Sequence, residues 1–317
     1  MNLLFSSMTY TTVTLLYLLS PILIYGHSIQ KLQELQDNQP VPIVIWHGIN
    51  DNFEGWGIIP ELFEKNIPGV YIKQICIGQN SSASCGPRED KIRTWFGDAS
   101  SQIDQACEKI LNDSKLSNGF NLFGISQGGL LSRVLVQRCQ KAKIKVFTSF
   151  GGPQAGVNAI PGCDPNMARD FCENVRRILN LGIYNPVVQK NILPAQYWRD
   201  PIHPKHYYEK SIFLPYANQD VEIVQEEVEK IKQLEAMVLV KFNQDTAVVP
   251  PISEWFGYYE DGQDKSILPA EYWPVWKNLG LNYLSDRGRL HFLAKDGDHL
   301  QFSNEWFEYN IVPFFQN

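Results

Sequence analysis

An excess of positive charge is the first thing this chain lacks: 28 Lys and Arg stand against 34 Asp and Glu in 317 residues, a formal charge of −6 with histidine neutral. Phosphate recognition needs concentrated cations to release counterions, so a nucleic-acid partner is not expected. Charge of either sign is missing before Lys31. None of the six cysteines stands in a CxxC pair, which argues against a zinc site or a redox dithiol. No apolar run beyond the N-terminal segment approaches the ~20 residues that span a bilayer, so the mature chain should carry no integral membrane segment. Internal repeats and Ser/Gly-rich linkers are absent too, and 22 Gly with 19 Pro are too few for collagen or a low-complexity chain.

What is present is a globular composition, 44% hydrophobic and 20% charged, which excludes intrinsic disorder. A chain of about 300 residues can bury roughly 75% of its extended surface, so it needs no staples to build a core. The uncharged N-terminus contains the apolar run Leu15 to Tyr25, followed by the small-residue boundary Gly26-His27-Ser28. Residues 1–28 therefore read as a cleaved signal peptide, and residues 29–317 as one exported domain. The missing Lys or Arg ahead of the run leaves an uncleaved anchor as the alternative. Export makes the cysteines candidates for disulfides, with buried free thiols the other reading. Spacing suggests short loops at Cys163–Cys172 and Cys76–Cys85 and leaves Cys107 and Cys139 on two predicted helices. Asn80 and Asn112 stand in glycosylation sequons.

Short β-branched runs at Val41 to Trp46 and Val70 to Ile75 read as buried parallel strands. Ile103, Ala106, Cys107, Ile110 and Leu111 recur at helical spacing, with Asp98 placed to cap. A strand at Asn121 to Ile125, a helical pattern through Leu131, Val134 and Leu135, and a strand at Ile144 to Phe150 follow. Alternation of this kind gives a mostly parallel sheet with helices on both faces. Residues 151–236 hold helical patterns but few strand runs and read as a large insertion, with Asp220 as cap of a helix starting at Val221. Strands resume at Met237 to Phe242 and Leu290 to Ala294.

Chemistry sits at the strand ends. Gly124-Ile125-Ser126-Gln127-Gly128 matches G-x-S-x-G and falls between a predicted strand and a predicted helix, the context that makes Ser126 a candidate nucleophile. A serine hydroxyl needs a histidine to take its proton, and the histidine needs a carboxylate to fix its tautomer. His299, in a turn-rich loop after the last strand, is the candidate base; Asp245, just past the strand ending at Phe242, is the candidate acid, with Asp298 and Asp220 as rivals. Backbone N–H groups of Gln127, at a helix start, and Ile49, after Gly48 in Trp46-His47-Gly48-Ile49, are candidate oxyanion donors. No metal or cofactor enters this chemistry.

The segments IVIWHGINDN, KNIPGVYI, GISQGG, FGGPQAGV, AQYWRDPI, VKFNQD, SEWFGYY and DGDHLQFSNEWF, running from the strand at Val41 almost to the C-terminus, resemble the palmitoyl-protein thioesterases. The resemblance implies an α/β-hydrolase fold with Ser126, Asp245 and His299 as triad and Ile49 and Gln127 as oxyanion donors. It implies long-chain acyl thioesters and S-acylated proteins or peptides as substrates, and a lysosomal destination, with release from the cell as the other route. The insertion 151–236 would shape an acyl groove. The family's disulfides carry over onto Cys107–Cys139 and Cys163–Cys172; its adjacent-cysteine pair past the His-Gly segment is missing here, while Cys76 and Cys85 are additions. Two other readings stay open: a secreted lipase or carboxylesterase acting on oxoesters, and a catalytically silent lipid-binding protein of the same fold.

Overall fold

Six parallel strands carry the fold in the computed structural model, which describes residues 39–79, 85–159 and 182–316. Contacts divide the chain into two units, Met1–Pro40 and Val41–Asn317, and every element below lies in the second. In chain order these are β1 (Ile43–Trp46), α1 (Ile58–Asn66), β2 (Ile72–Gln74), α2 (Pro87–Arg93), α3 (Ala99–Leu111), β3 (Phe120–Ile125), α4 (Gln127–Arg138), β4 (Ile144–Phe150), α5 (Gln225–Lys232), β5 (Ala236–Phe242), a small hairpin of β6 (Tyr258–Tyr259) and β7 (Ile267–Leu268), β8 (Leu290–Lys295) and α6 (Asn304–Asn310). The sheet order is β2-β1-β3-β4-β5-β8. From β1 the chain steps outward to β2 on one side and from β3 outward on the other, so the order reverses between β1 and β3. Ligand crevices of open parallel sheets form at such a reversal, beyond the strands' C-terminal ends.

Successive residues of the central strands feed opposite cores. Val44, Trp46, Leu122, Phe147, Met237 and Leu239 pack with α3 and α4 on one face. Ile43, Ile45, Phe123, Val146, Phe150, Val238 and Val240 meet Phe63 of α1 and Phe307 of α6 on the other. Burial on both faces explains why the strands read as unbroken apolar runs rather than as alternating ones. The arrangement is an α/β-hydrolase fold, a mostly parallel sheet with helices on both faces. Asp98 caps α3 by accepting from the Ser101 N–H at 2.8 Å, as its sequence position predicts.

The helix expected from Val221 starts later. Val221 and Val224 are exposed, and α5 begins only at Gln225, burying Val228 and Ile231. Asp220 is not its cap: the N-cap is Val224, and the Asp220 carboxylate instead accepts a 2.7 Å hydrogen bond from the Tyr207 hydroxyl. Cys76–Cys85 and Cys107–Cys139 are disulfide-bonded, the latter joining α3 to the end of α4. Asn112 is exposed at the end of α3. The segment 1–28 expected to be a signal peptide, Asn80, Cys163 and Cys172 lie outside the described residues. Among those described, no helix is long and apolar enough to cross a membrane.

Candidate active site

Strand β3 runs directly into α4 through Ser126, whose φ of 52° and ψ of −124° lie where non-glycine residues rarely sit. The turn closes so tightly that neither flanking glycine could be larger. A Cβ at Gly124 would stand 2.5 Å from the Gly128 carbonyl oxygen, and one at Gly128 would stand 2.3 Å from the carbonyl oxygens of Trp46 and His47. Helix α4 thus presses against the β1 end. The backbone after β1 also comes close to the serine, since a Cβ at Gly48 would lie 2.9 Å from the Ser126 Cβ. Ile49 follows in that loop. Gln127 opens α4, where first-turn N–H groups have no intrahelical acceptor.

The structure brings the three residues selected in the sequence into one chain of contacts. His299 Nε2 lies 2.9 Å from Ser126 Oγ, and His299 Nδ1 lies 2.5 Å from Asp245 Oδ2. Asp245 is held by its own loop, its Oδ1 accepting from the Ala247 and Val248 N–H groups at 2.7 Å each. Burial pushes the Asp245 carboxyl up, but hydrogen bonds from His299, Glu254 and the Val248 N–H outweigh it and hold the group below its ordinary value. Asp298, the neighbouring rival, accepts instead from the Thr246 N–H at 2.8 Å and hydroxyl at 2.9 Å, which ties the histidine loop to the Asp245 loop.

Several supporting residues were not anticipated from the sequence. His47 Nε2 lies 2.8 Å from Asp90 Oδ2 in a pair 5% and 0% exposed. Asp90 also accepts from the Phe53 and Ile77 N–H groups at 2.8 Å each, and Thr94 Oγ1 accepts from the Asn50 N–H at 2.9 Å. Helix α2 and the residue after it therefore clamp the loop that contains Ile49. The Gln127 side chain donates to the Thr94 carbonyl and the Tyr197 hydroxyl at 3.0 Å each, anchoring the start of α4 to the same clamp. Nothing in the local pattern of α2 marks Asp90, because its partners are brought to it by the sheet. Glu254, from the turn Pro251–Trp255, is 1% exposed and gathers with Asp245 and His299.

The profile of the palmitoyl protein thioesterase family matches residues 42–299, a span that contains every residue of this site. Palmitoyl-protein thioesterase 1 of Caenorhabditis elegans is 37% identical, over 89% of this chain and 93% of its own length. The chain belongs to the palmitoyl protein thioesterase family. Palmitoyl-protein thioesterase 3 of Dictyostelium discoideum is 30% identical over 87% of this chain and 92% of its own. The lysosomal thioesterase PPT2 homolog of Drosophila melanogaster is 26% identical over 81% and 85%. The family and the fold together make this protein a hydrolase of the esterase and thioesterase type.

The clamp has a measurable consequence for this thioesterase. Burial works against a charged His47, yet the adjoining Asp90 carboxylate overrides it and raises the imidazole above 6.5. Asp90→Ala would strip a buried imidazolium of its counter-charge and two N–H groups of their acceptor, and is expected to cost about 3–5 kcal/mol in urea unfolding. A group raised in the folded state contributes its full charge-linked stability below its unfolded value and loses it as pH rises through the folded one. The destabilisation should accordingly be largest below pH 6.5 and shrink above it, toward the share contributed by the two N–H groups.

Proposed function

We propose that the protein hydrolyses long-chain fatty acyl thioesters, palmitoyl above all, on the cysteines of proteins and peptides through a Ser126–His299–Asp245 triad. The contacts of 2.9 and 2.5 Å that run from the serine hydroxyl through the imidazole to the carboxylate carry this reading. Ser126 Oγ attacks the thioester carbonyl while His299 Nε2 takes its proton. The oxyanion is received by the N–H groups of Ile49 and Gln127. The carbon–sulfur bond then breaks, the cysteine sulfur leaves with a proton from the imidazolium, and the fatty acyl group stays on Ser126. A water deprotonated by His299 attacks the acyl-enzyme and releases the fatty acid. Asp245 fixes the tautomer that leaves Nε2 free to accept and stabilises the imidazolium formed in each half-reaction.

Residues 151–236 serve as an inserted cap of this single domain and shape the acyl groove. Removal of the segment 1–28, glycans on Asn80 and Asn112 and a third disulfide at Cys163–Cys172 complete an exported enzyme. Its similarity to the lysosomal thioesterase PPT2 homolog of Drosophila melanogaster supports a lysosomal setting for it.

Thioester preference distinguishes this activity from a lipase-like one. A thiol with a pKa near 8.5 leaves far more readily than an alkoxide, so departure of the sulfur needs little help from a general acid. With palmitoyl thioester and palmitoyl oxoester of the same leaving-group skeleton, kcat/KM is expected to favour the thioester by at least about tenfold. Equal or reversed values would assign the protein to the oxoester hydrolases, and binding without turnover of either would assign it a lipid-carrying role.

A further inference from the structure

Glu254 is a buried carboxyl in direct company with the relay, and the mechanism above gives it no task. It is 1% exposed. Its Oε2 accepts from the Phe242 N–H at 2.7 Å, which ties it to the end of β5 just ahead of Asp245. One ligand atom each of Glu254, Asp245 and His299 lie within 4.8 Å of one another. Its Oε1 is buried with no N–H or hydroxyl donor directed at it among the described residues. Two ionised carboxylates cannot share such a space, because burial and mutual repulsion both oppose the second charge.

One proton must therefore sit on this pair, and the donors decide where. Asp245 accepts from the Ala247 and Val248 N–H groups and lies 2.5 Å from His299 Nδ1, all favouring its charged form. Among the described residues, Glu254 accepts from one N–H, that of Phe242. Lys241 is the cation that would favour an ionised Glu254, but its ammonium bonds to Asn243 Oδ1 and lies 4.8 Å from the centre of the Trp255 ring.

We propose that Glu254 is a neutral positioning acid for the triad: it keeps the shared proton, donates it to the Asp245 carboxylate, and so steadies that carboxylate while weakening its hold on the imidazolium. The inference rests on the triad reading given above. Burial and the neighbouring Asp245 charge push the Glu254 carboxyl well above the ordinary carboxylate range, in the direction this role requires. An Asp245 without this donor would present its full charge to His299 and keep the base protonated to higher pH. Glu254 thereby extends turnover into acidic surroundings, where a protonated base would stop both half-reactions.

The experiment is the pH dependence of kcat/KM on a soluble acyl thioester between about pH 4 and 8 for the wild type, Glu254→Gln and Glu254→Met. Glutamine can donate its amide to Asp245 and still accept from Phe242, so its acid limb should superimpose on the wild type. Methionine fills the space without a donor, and its acid limb should move up by about one pH unit, a roughly tenfold loss at the acid end with little change near pH 8. A glutamine limb displaced to lower pH would show that a charge had been removed and would overturn the proposal, as would an unmoved limb in a folded methionine variant. Should the methionine variant fail to fold, the glutamine limb decides alone, superposition supporting the proposal and displacement overturning it. Ser126→Ala measured alongside separates the two levels. Retained turnover in that variant sinks the triad reading, whereas abolished turnover with wild-type limbs in both Glu254 variants sinks only the role of Glu254.

Discussion

Ser126→Ala is expected to lower kcat on a palmitoyl thioester by about 10⁵- to 10⁶-fold while leaving the protein folded. The loss is that large because attack, acyl transfer and deacylation all pass through one oxygen, and neither His299 nor the oxyanion donors can replace a covalent intermediate. What remains should be the catalysis supplied by binding and oxyanion stabilisation alone. Stability should barely change. The strain of φ 52° is a property of the backbone, equal for serine and alanine, and is held by the close approach of Gly124 and Gly128 to their neighbours. Single-turnover kinetics together with mass detection of an acyl adduct check both halves. An adduct on the alanine variant, or activity above about 1% of wild type, would place the nucleophile elsewhere.

Asp245→Asn should cost about 10⁴-fold in kcat with the fold again retained. Asparagine can keep its carbonyl oxygen on the Ala247 and Val248 N–H groups, where Oδ1 now accepts. Its amide then faces His299 Nδ1 in place of Oδ2. A donor at that position forces the ring proton onto Nε2, and a protonated Nε2 cannot accept the Ser126 proton. Raising pH should not rescue the variant, because the fault lies in the tautomer and not in the ionisation state. A loss below about tenfold would return the acid role to another carboxylate, and Glu254 is the one gathered with the same imidazole.

The central strands were legible because each is a short, mostly apolar run bounded by turn residues, and burial on both faces left those runs largely uninterrupted. The meeting of Ser126, His299 and Asp245 was legible for a related reason. Ser126, Asp245 and His299 each stand just past the C-terminal end of a strand, and a parallel sheet collects those ends at one edge. The helix boundary ahead of β5 was not legible. Val221 and Val224 fit a helical stripe with Val228 and Ile231, but the bond between Asp220 and Tyr207 engages the side chain that would cap it, and the helix begins only at Gln225. That bond joins residues on different elements, and no local pattern announces it.

Residue types and their spacing along the chain determined the fold class, the strained turn at Ser126, and the candidate nucleophile, acid and base, because each depends on a local rule of period, strain or strand-end position. Tertiary structure alone decided what surrounds them: the His47–Asp90 pair that clamps the loop of Ile49, the hold of Thr94 and Tyr197 on Gln127, and the burial of Glu254 against Asp245. Those contacts join segments that meet only when the sheet forms. Their energies come from excluding water around charged groups, and a linear sequence does not record which charges lose their water together.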